Sequence, residues 1–382
     1  MRWMKGVLVV LLILVFAGAG AAQAKLKVAF IYVGPIGDYG WTHAHNQARL
    51  ILEKQLNLET IYVESVPEAQ VEPFIDKVID QGAKVVLTTS FGFMDGTLNA
   101  AKKYPNIIFG HASGFKRNKN MFTYMADFYQ IYYLNGLMAG ALTKTNKIGY
   151  VGAFPIPEVK RHLSAYALGV RAVNPKATIH VRWLFSWFDP AKAKEATEAL
   201  IASGADVFAF TEDSPTVIQV AAKKNRLSFS HYSPMQKFAP QHVVSGQLVR
   251  WETILLDFFR KVQAGKYTSE NLANVDYWWL LGERAVEVGG EFGVPVNPLF
   301  LSRLKSTRVT APGLGRLSVY DLIQRRTAQM MKKPLAFDPF TGPIRDRKGV
   351  LRVPAGTTMN VLQLTTMEWA APGIVGPWPK EP

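Results

Sequence analysis

Cysteine is absent from the 382 residues, which excludes disulfide bridges, thiolate metal sites and cysteine nucleophiles. Acidic residues are scarce: 29 Asp and Glu stand against 44 Lys and Arg, a formal net charge of +15. Such a balance favours anionic surfaces without naming one. Low-complexity tracts and repeats of short fixed period are missing, so a solenoid is excluded. No G-x-S-x-G elbow, P-loop or H-E-x-x-H occurs, which removes the strongest signatures of serine hydrolases, NTPases and zinc proteases. Beyond the N-terminal segment no stretch is long and apolar enough to span a bilayer. What is present is globular: 48% hydrophobic and 19% charged, with length for two domains of ~100–200 residues.

Residues 1–24 read as an export signal. Arg2 and Lys5 form a basic start, Gly6 to Ala22 carries no charge, and Ala22-Gln23-Ala24 fits an A-x-A cleavage site. An uncleaved anchor is the alternative, but the apolar run falls short of the ~20 residues a span needs. A periplasmic protein starting at Lys25 is expected.

From Lys25 onward, short β-rich runs alternate with amphipathic stretches of helical length, the pattern of βαβ units and a mostly parallel sheet. Strands are expected at Val28–Val33, Thr60–Val63, Lys84–Thr88, Ile107–Gly110 and Phe122–Met125, and a helix over Gln130–Leu142 closes this first series. A second series opens at Lys147 and runs through strands at Thr178–Leu184, Val207–Thr211, Leu227–Tyr232 and His242–Val249. The fold class is therefore α/β, with two doubly wound lobes. The first is assigned 25–144 plus about 250–280, the second 145–249 plus about 281–345, and 346–382 is expected to be an extended tail. The basic clusters Lys116–Lys119 and Arg345–Lys348 read as solvated turns, since no aromatic-interleaved basic stripe points to nucleic acid.

Ligands of open α/β sheets bind outside the carboxyl ends of the strands. Those positions are rich in aromatics here: Trp41, Phe91, Phe93, Phe154, Trp187, Phe188 and Tyr232. A cleft walled by such faces suits a flat heterocycle, since stacking supplies ~1–3 kcal/mol per ring. The loop Gly34-Pro35-Ile36-Gly37-Asp38-Tyr39-Gly40 leads into a helix whose first N–H groups are free to meet a polar ligand. Its glycines recur every third residue, and Ile36 breaks a dinucleotide-binding G-x-G-x-x-G. His43 and His45 lie two apart and do not share a helix face, so no metal site is expected. In Thr211-Glu212-Asp213-Ser214-Pro215 the acids either complement the helix dipole or accept donors of a ligand.

Several motifs together resemble the basic membrane protein (Bmp) family of ABC-transporter substrate-binding proteins, which includes purine nucleoside receptors. They are Tyr32-Val33-Gly34-Pro35-Ile36-Gly37-Asp38-Tyr39-Gly40-Trp41, Thr88-Thr89-Ser90-Phe91-Gly92-Phe93-Met94-Asp95, Gly149-Tyr150-Val151-Gly152-Ala153-Phe154-Pro155-Ile156-Pro157-Glu158-Val159 and Trp187-Phe188-Asp189-Pro190-Ala191-Lys192. Thr211 to Pro215, Pro339-Phe340-Thr341-Gly342-Pro343 and Val353-Pro354-Ala355-Gly356 extend the likeness over nearly all of the chain after Lys25. The resemblance implies a type I periplasmic-binding-protein-like fold, its lobes joined by hinge segments and closing on a ligand that passes to an inner-membrane permease. It implies that Trp41 stacks on the ligand and that Asp38 shapes its loop. Ser90, Phe91 and Phe93 would face the cleft from the first lobe, and Phe154 and Asp213 from the second, where the strand-end aromatic Trp187 is also expected.

His43 and Asn46 stand where relatives commonly carry Tyr and Asp, so Asn46 would read the ligand's polar edge. The segment His231-Tyr232-Ser233-Pro234-Met235 lacks the acids that follow this strand in nucleoside-binding relatives. A free purine base is therefore expected over a nucleoside, captured by a monomer without cofactor or metal. The rival readings are a nucleoside receptor, a nucleoside or glycoside hydrolase using Glu212 or Asp213, and a sensory binding protein.

Overall fold

The computed structural model describes residues 25–380. The first series comprises β1 (Lys27–Tyr32), α1 (Trp41–Leu56), β2 (Glu59–Val63), α2 (Val71–Asp80), β3 (Val85–Thr89), α3 (Met94–Lys103), β4 (Ile108–Ala112), β5 (Met121–Ala126) and α4 (Tyr129–Leu142). The second comprises β6 (Lys147–Gly152), α5 (Pro157–Val173), β7 (Thr178–Trp183), α6 (Pro190–Ala202), β8 (Val207–Phe210), α7 (Thr216–Lys223), β9 (Leu227–Tyr232) and β10 (Val243–Val249). There follow α8 (Trp251–Gln263), β11 (Asp276–Trp279), β12 (Val286–Val288), α9 (Pro298–Ser306), β13 (Arg308–Ala311), β14 (Gly315–Ser318) and α10 (Val319–Met330). The C-terminal part adds β15 (Ile344–Arg345), β16 (Leu351–Val353), α11 (Val361–Thr365) and β17 (Ile374–Val375).

Two sheets organise these elements. The first runs β11-β5-β4-β3-β1-β2 and is parallel throughout. The second runs β12-β10-β9-β8-β6-β7-β17, with only β12 antiparallel. Both faces of the central strands are covered by helices, so β1, β3 and β4 read as nearly continuous apolar runs instead of alternating ones. The Tyr277-Trp278-Trp279 run becomes the edge strand β11, and α8 packs on α1 in the first lobe. The chain crosses between lobes after β5, between β10 and α8, and between β11 and β12.

The first crossing corrects one expectation. Helix α4 was expected to close the first lobe, with that lobe running to residue 144; it packs in the second. All its residues are buried. Tyr132 donates its hydroxyl to the Phe210 carbonyl at 2.8 Å and Asn135 donates to Gln247 at 2.7 Å, both in the second sheet. Its main partner is α5, where backbones touch: a Cβ on Gly136 would stand 2.2 Å from the Tyr166 carbonyl oxygen, and one on Gly169 2.1 Å from that of Tyr133. The chain therefore changes lobes at Asp127–Phe128, before the helix. Nor is the stretch after 346 simply extended. It forms α11 against α5, and β17 pairs in parallel with β7. Among the described residues no helix is long and apolar enough to cross a membrane. The expected signal segment, 1–24, lies outside the described residues.

Candidate ligand-binding cleft

Parallel strands aim their carboxyl ends one way, so the loops after them gather at one rim of each sheet, and the two rims face each other. After β1, the loop is held by Asp38. Its carboxylate accepts N–H bonds from Gly40 (2.8 Å), Thr42 (3.1 Å) and His43 (2.9 Å). These are the amides that open α1 and have no partner within the helix. Burial pushes the Asp38 carboxyl up to about 6 despite those bonds. One amide of this first turn looks outward: Trp41 N–H donates to Asp213 Oδ1, in the opposite lobe, at 2.9 Å. This approach requires Gly40, because a Cβ there would lie 2.4 Å from Asp213 Oδ1 and 2.7 Å from its Cα.

Between the rims lies a narrow cavity walled by residues of both lobes. The first lobe supplies Val33, Trp41, Ser90, Phe91 and Ser113 to its wall. The second supplies Glu158, Trp187, Asp213 and Tyr232. The Trp41 indole is fixed by its Nε1–H, which donates to the Thr89 carbonyl at 2.6 Å, and by edge-on packing against Tyr232 and Trp251.

Polar ties cross the cleft at three further points. The Ser113 hydroxyl donates to Glu158 Oε2, and that of Ser233 to the Tyr39 carbonyl. Glu68 Oε1 collects the Ser90 hydroxyl, the Gly92 N–H (3.1 Å) and, from the other lobe, the Trp187 indole N–H (3.3 Å). The lobes are therefore shut. Burial raises the carboxyl pKa values of Glu158, Glu212 and Asp213; for Asp213 the nearby Asp38 charge adds to the effect.

Of the residues singled out from sequence, Trp41, Ser90, Phe91, Trp187 and Asp213 meet at this cavity. Asp38 lies beneath its loop, and Phe154 packs behind Trp187 with ring centroids 5.0 Å apart. Phe93 and Asn46 do not reach the cavity. The tight turn Phe91–Phe93 sends Phe91 to the cleft and Phe93 into the apolar layer beside α2 and α3, where it is fully buried. Asn46 sits a turn into α1, its Oδ1 taken by Arg49 Nε at 2.9 Å. His43 and His45 each turn Nδ1 to a backbone carbonyl, and burial lowers His45 to about 3.

Sequence reasoning missed Ser113, included Glu158 only inside a family motif without a role, and noticed Tyr232 only as a strand-end aromatic. Glu158 follows Pro157 at the start of α5, just beyond β6, a place the strand-end rule marks. The expected shortage of carboxylates is also corrected. It rested on the segment after Tyr232, whereas Glu158 and Asp213 come from other elements.

Residues 25–289 match the family described as ABC transporter substrate-binding protein PnrA-like (Bmp). A purine-binding protein of Brucella abortus is 35% identical over 352 residues, 91% of this chain and 93% of its own. A Haloferax volcanii protein named for glucose binding in an ABC transporter is 36% identical over 71% of this chain and 68% of its own. Among solved structures, a solute-binding protein from Aeropyrum pernix has a TM-score of 0.67 at 16% identity, over 81% of this chain and 92% of its own. One from Conexibacter woesei has a TM-score of 0.60 at 21% identity, over 82% of this chain and 100% of its own. These likenesses carry the type I solute-binding fold. Proteins of this kind are exported, bind a small molecule and present it to a permease, and are not enzymes. The chain belongs to the Bmp family of PnrA-like ABC transporter substrate-binding proteins.

Proposed function

We propose that this protein captures a free purine base between its closing lobes and delivers it to an ABC permease, without bond chemistry. One observation carries the reading: Trp41 and Phe91 from one lobe and Trp187 and Tyr232 from the other line one cavity between the lobes. Aromatic faces contribute ~1–3 kcal/mol each against a nucleobase, so two of them supply a good part of the ~8 kcal/mol of micromolar binding. The Brucella abortus relative's purine-binding name agrees with this ligand class. A hydrolytic role has less support. Asp213 Oδ1 is engaged by the Trp41 amide, and buried Glu212 does not line the cavity. Export to the periplasm as a monomer starting at Lys25 completes the proposal.

A second reading is a sugar. Carboxylates beside indoles also suit hydroxyl groups over an apolar ring face, and the Haloferax volcanii relative is named for glucose. Calorimetry with adenine, hypoxanthine, adenosine and glucose separates them. Binding is expected for at least one free base, tighter than for adenosine. Heat from glucose alone would overturn the purine reading.

A further inference from the structure

The hydrogen-bonding inventory of the cavity wall is lopsided. Trp41 Nε1–H is spent on the Thr89 carbonyl, and Trp187 Nε1–H and the Ser90 hydroxyl on Glu68. The Ser113 hydroxyl is spent on Glu158 Oε2. With Glu158 and Asp213 ionised, Tyr232 alone among the described residues of the wall keeps a side-chain proton that no protein acceptor takes, and no Lys, Arg, His, Asn or Gln is present. Acceptors are in surplus. Glu158 uses only Oε2 and Asp213 only Oδ1, so Glu158 Oε1 and Asp213 Oδ2 receive no donor from the protein.

We propose that Glu158, positioned by Ser113 across the cleft, is a specificity-determining residue that accepts an exocyclic amino group, so that the cavity selects amino-substituted over oxo-substituted purines. This rests on the purine reading above. The chemistry is complementary: an amino group donates to Glu158 Oε1, and an adjacent ring nitrogen accepts from the Tyr232 hydroxyl. An oxo group in the same place would set its oxygen against a carboxylate oxygen, with both acceptors unpaired between the lobes. A ligand N–H on Oε1 also favours the ionised form of Glu158, which burial disfavours.

The test is calorimetry on the full mature protein with adenine and hypoxanthine, which differ in amino against oxo at one ring position, and with xanthine. Adenine is expected to bind roughly tenfold or more tighter than hypoxanthine, the discrimination typical of a correctly paired base edge. Glu158→Gln places an amide donor among the acceptors and is expected to collapse or reverse that ratio. Glu158→Asp, whose shorter carboxylate withdraws from the ligand, should lower the ratio as well and serves if the first variant does not fold. Equal or tighter binding of hypoxanthine or xanthine to the unaltered protein would overturn the inference and leave the purine reading standing. An adenine preference unchanged in both folded variants would overturn the assignment to Glu158. Binding of none of these bases would reject the purine reading itself.

Discussion

The two walls of the cleft are built differently. On the first lobe, the groups that hold the site are bonded within that lobe: Asp38 to the opening of α1, Trp41 Nε1–H to Thr89, Ser90 to Glu68. On the second, Asp213, Glu158 and Trp187 find partners across the gap, in Trp41, Ser113 and Glu68. In the closed form the polar groups of the first wall are held mainly within their own lobe, Ser113 excepted, whereas those of the second reach across. A ligand would thus be received on the first lobe at little reorganisation cost and retained by the second, which places discrimination between similar ligands in the closing step.

The largest test of this asymmetry is Gly40→Val. Its side chain meets the Asp213 backbone, so closure is expected to fail and affinity to fall by up to roughly 100-fold, from the ~1–3 kcal/mol cost of overpacking. Scattering should report a more open molecule with unchanged circular dichroism. Affinity equal to that of the unaltered protein would mean that the Gly40–Asp213 contact plays no part in closing. Next come the paired truncations. Trp41→Ala should weaken binding about 10–100-fold, the value of a stacked ring, and it should slow association because the receiving wall is damaged. Trp187→Ala should cost less, about 5-fold, and appear in the dissociation rate, where interface changes usually act. Stopped-flow kinetics would break the comparison if the two variants exchanged these signatures.

The smallest expected effect concerns Asp38. Its folded-state carboxyl, at about 6, lies above the ordinary 3.8, so the folded protein holds this proton more tightly than the unfolded chain. The stabilisation it gives is full below pH ~4 and is lost as pH rises through ~6. Asp38→Asn should remove this contribution and flatten the dependence of Tm on pH between 4 and 7, with a lower Tm throughout because one of the capping acceptors is lost. A slope identical to that of the unaltered protein would place the titration elsewhere.

Much of the scaffold was legible because its signals are local. Buried parallel strands are short apolar runs, and the helices between them carry their own periodicity. The lobe assignment of α4 was not legible, since a helix following β5 in sequence looks the same whether the chain crosses before it or after it. Only contact with α5, through Gly136 and Gly169, decides. The same limit separates Phe91 from Phe93: two residues of one turn face opposite ways, and no pattern in Phe-Gly-Phe says which ring meets the cleft. Glu158 reads in isolation as an acid complementing a helix start. Its second role exists only because Ser113, 45 positions earlier in the chain, is brought beside it.

The pairing of β17 with β7 has a consequence between molecules. Without Ile374 and Val375, β7 would end the second sheet with a row of unsatisfied backbone groups, a template for another chain. The C-terminal residues cover that margin with a strand only two residues long, and the Trp183 indole N–H is tied to the Pro377 carbonyl at 2.9 Å beside it. Trimming the last few residues would thus matter more for colloidal behaviour than for ligand capture, with sheet-to-sheet association replacing a sealed rim.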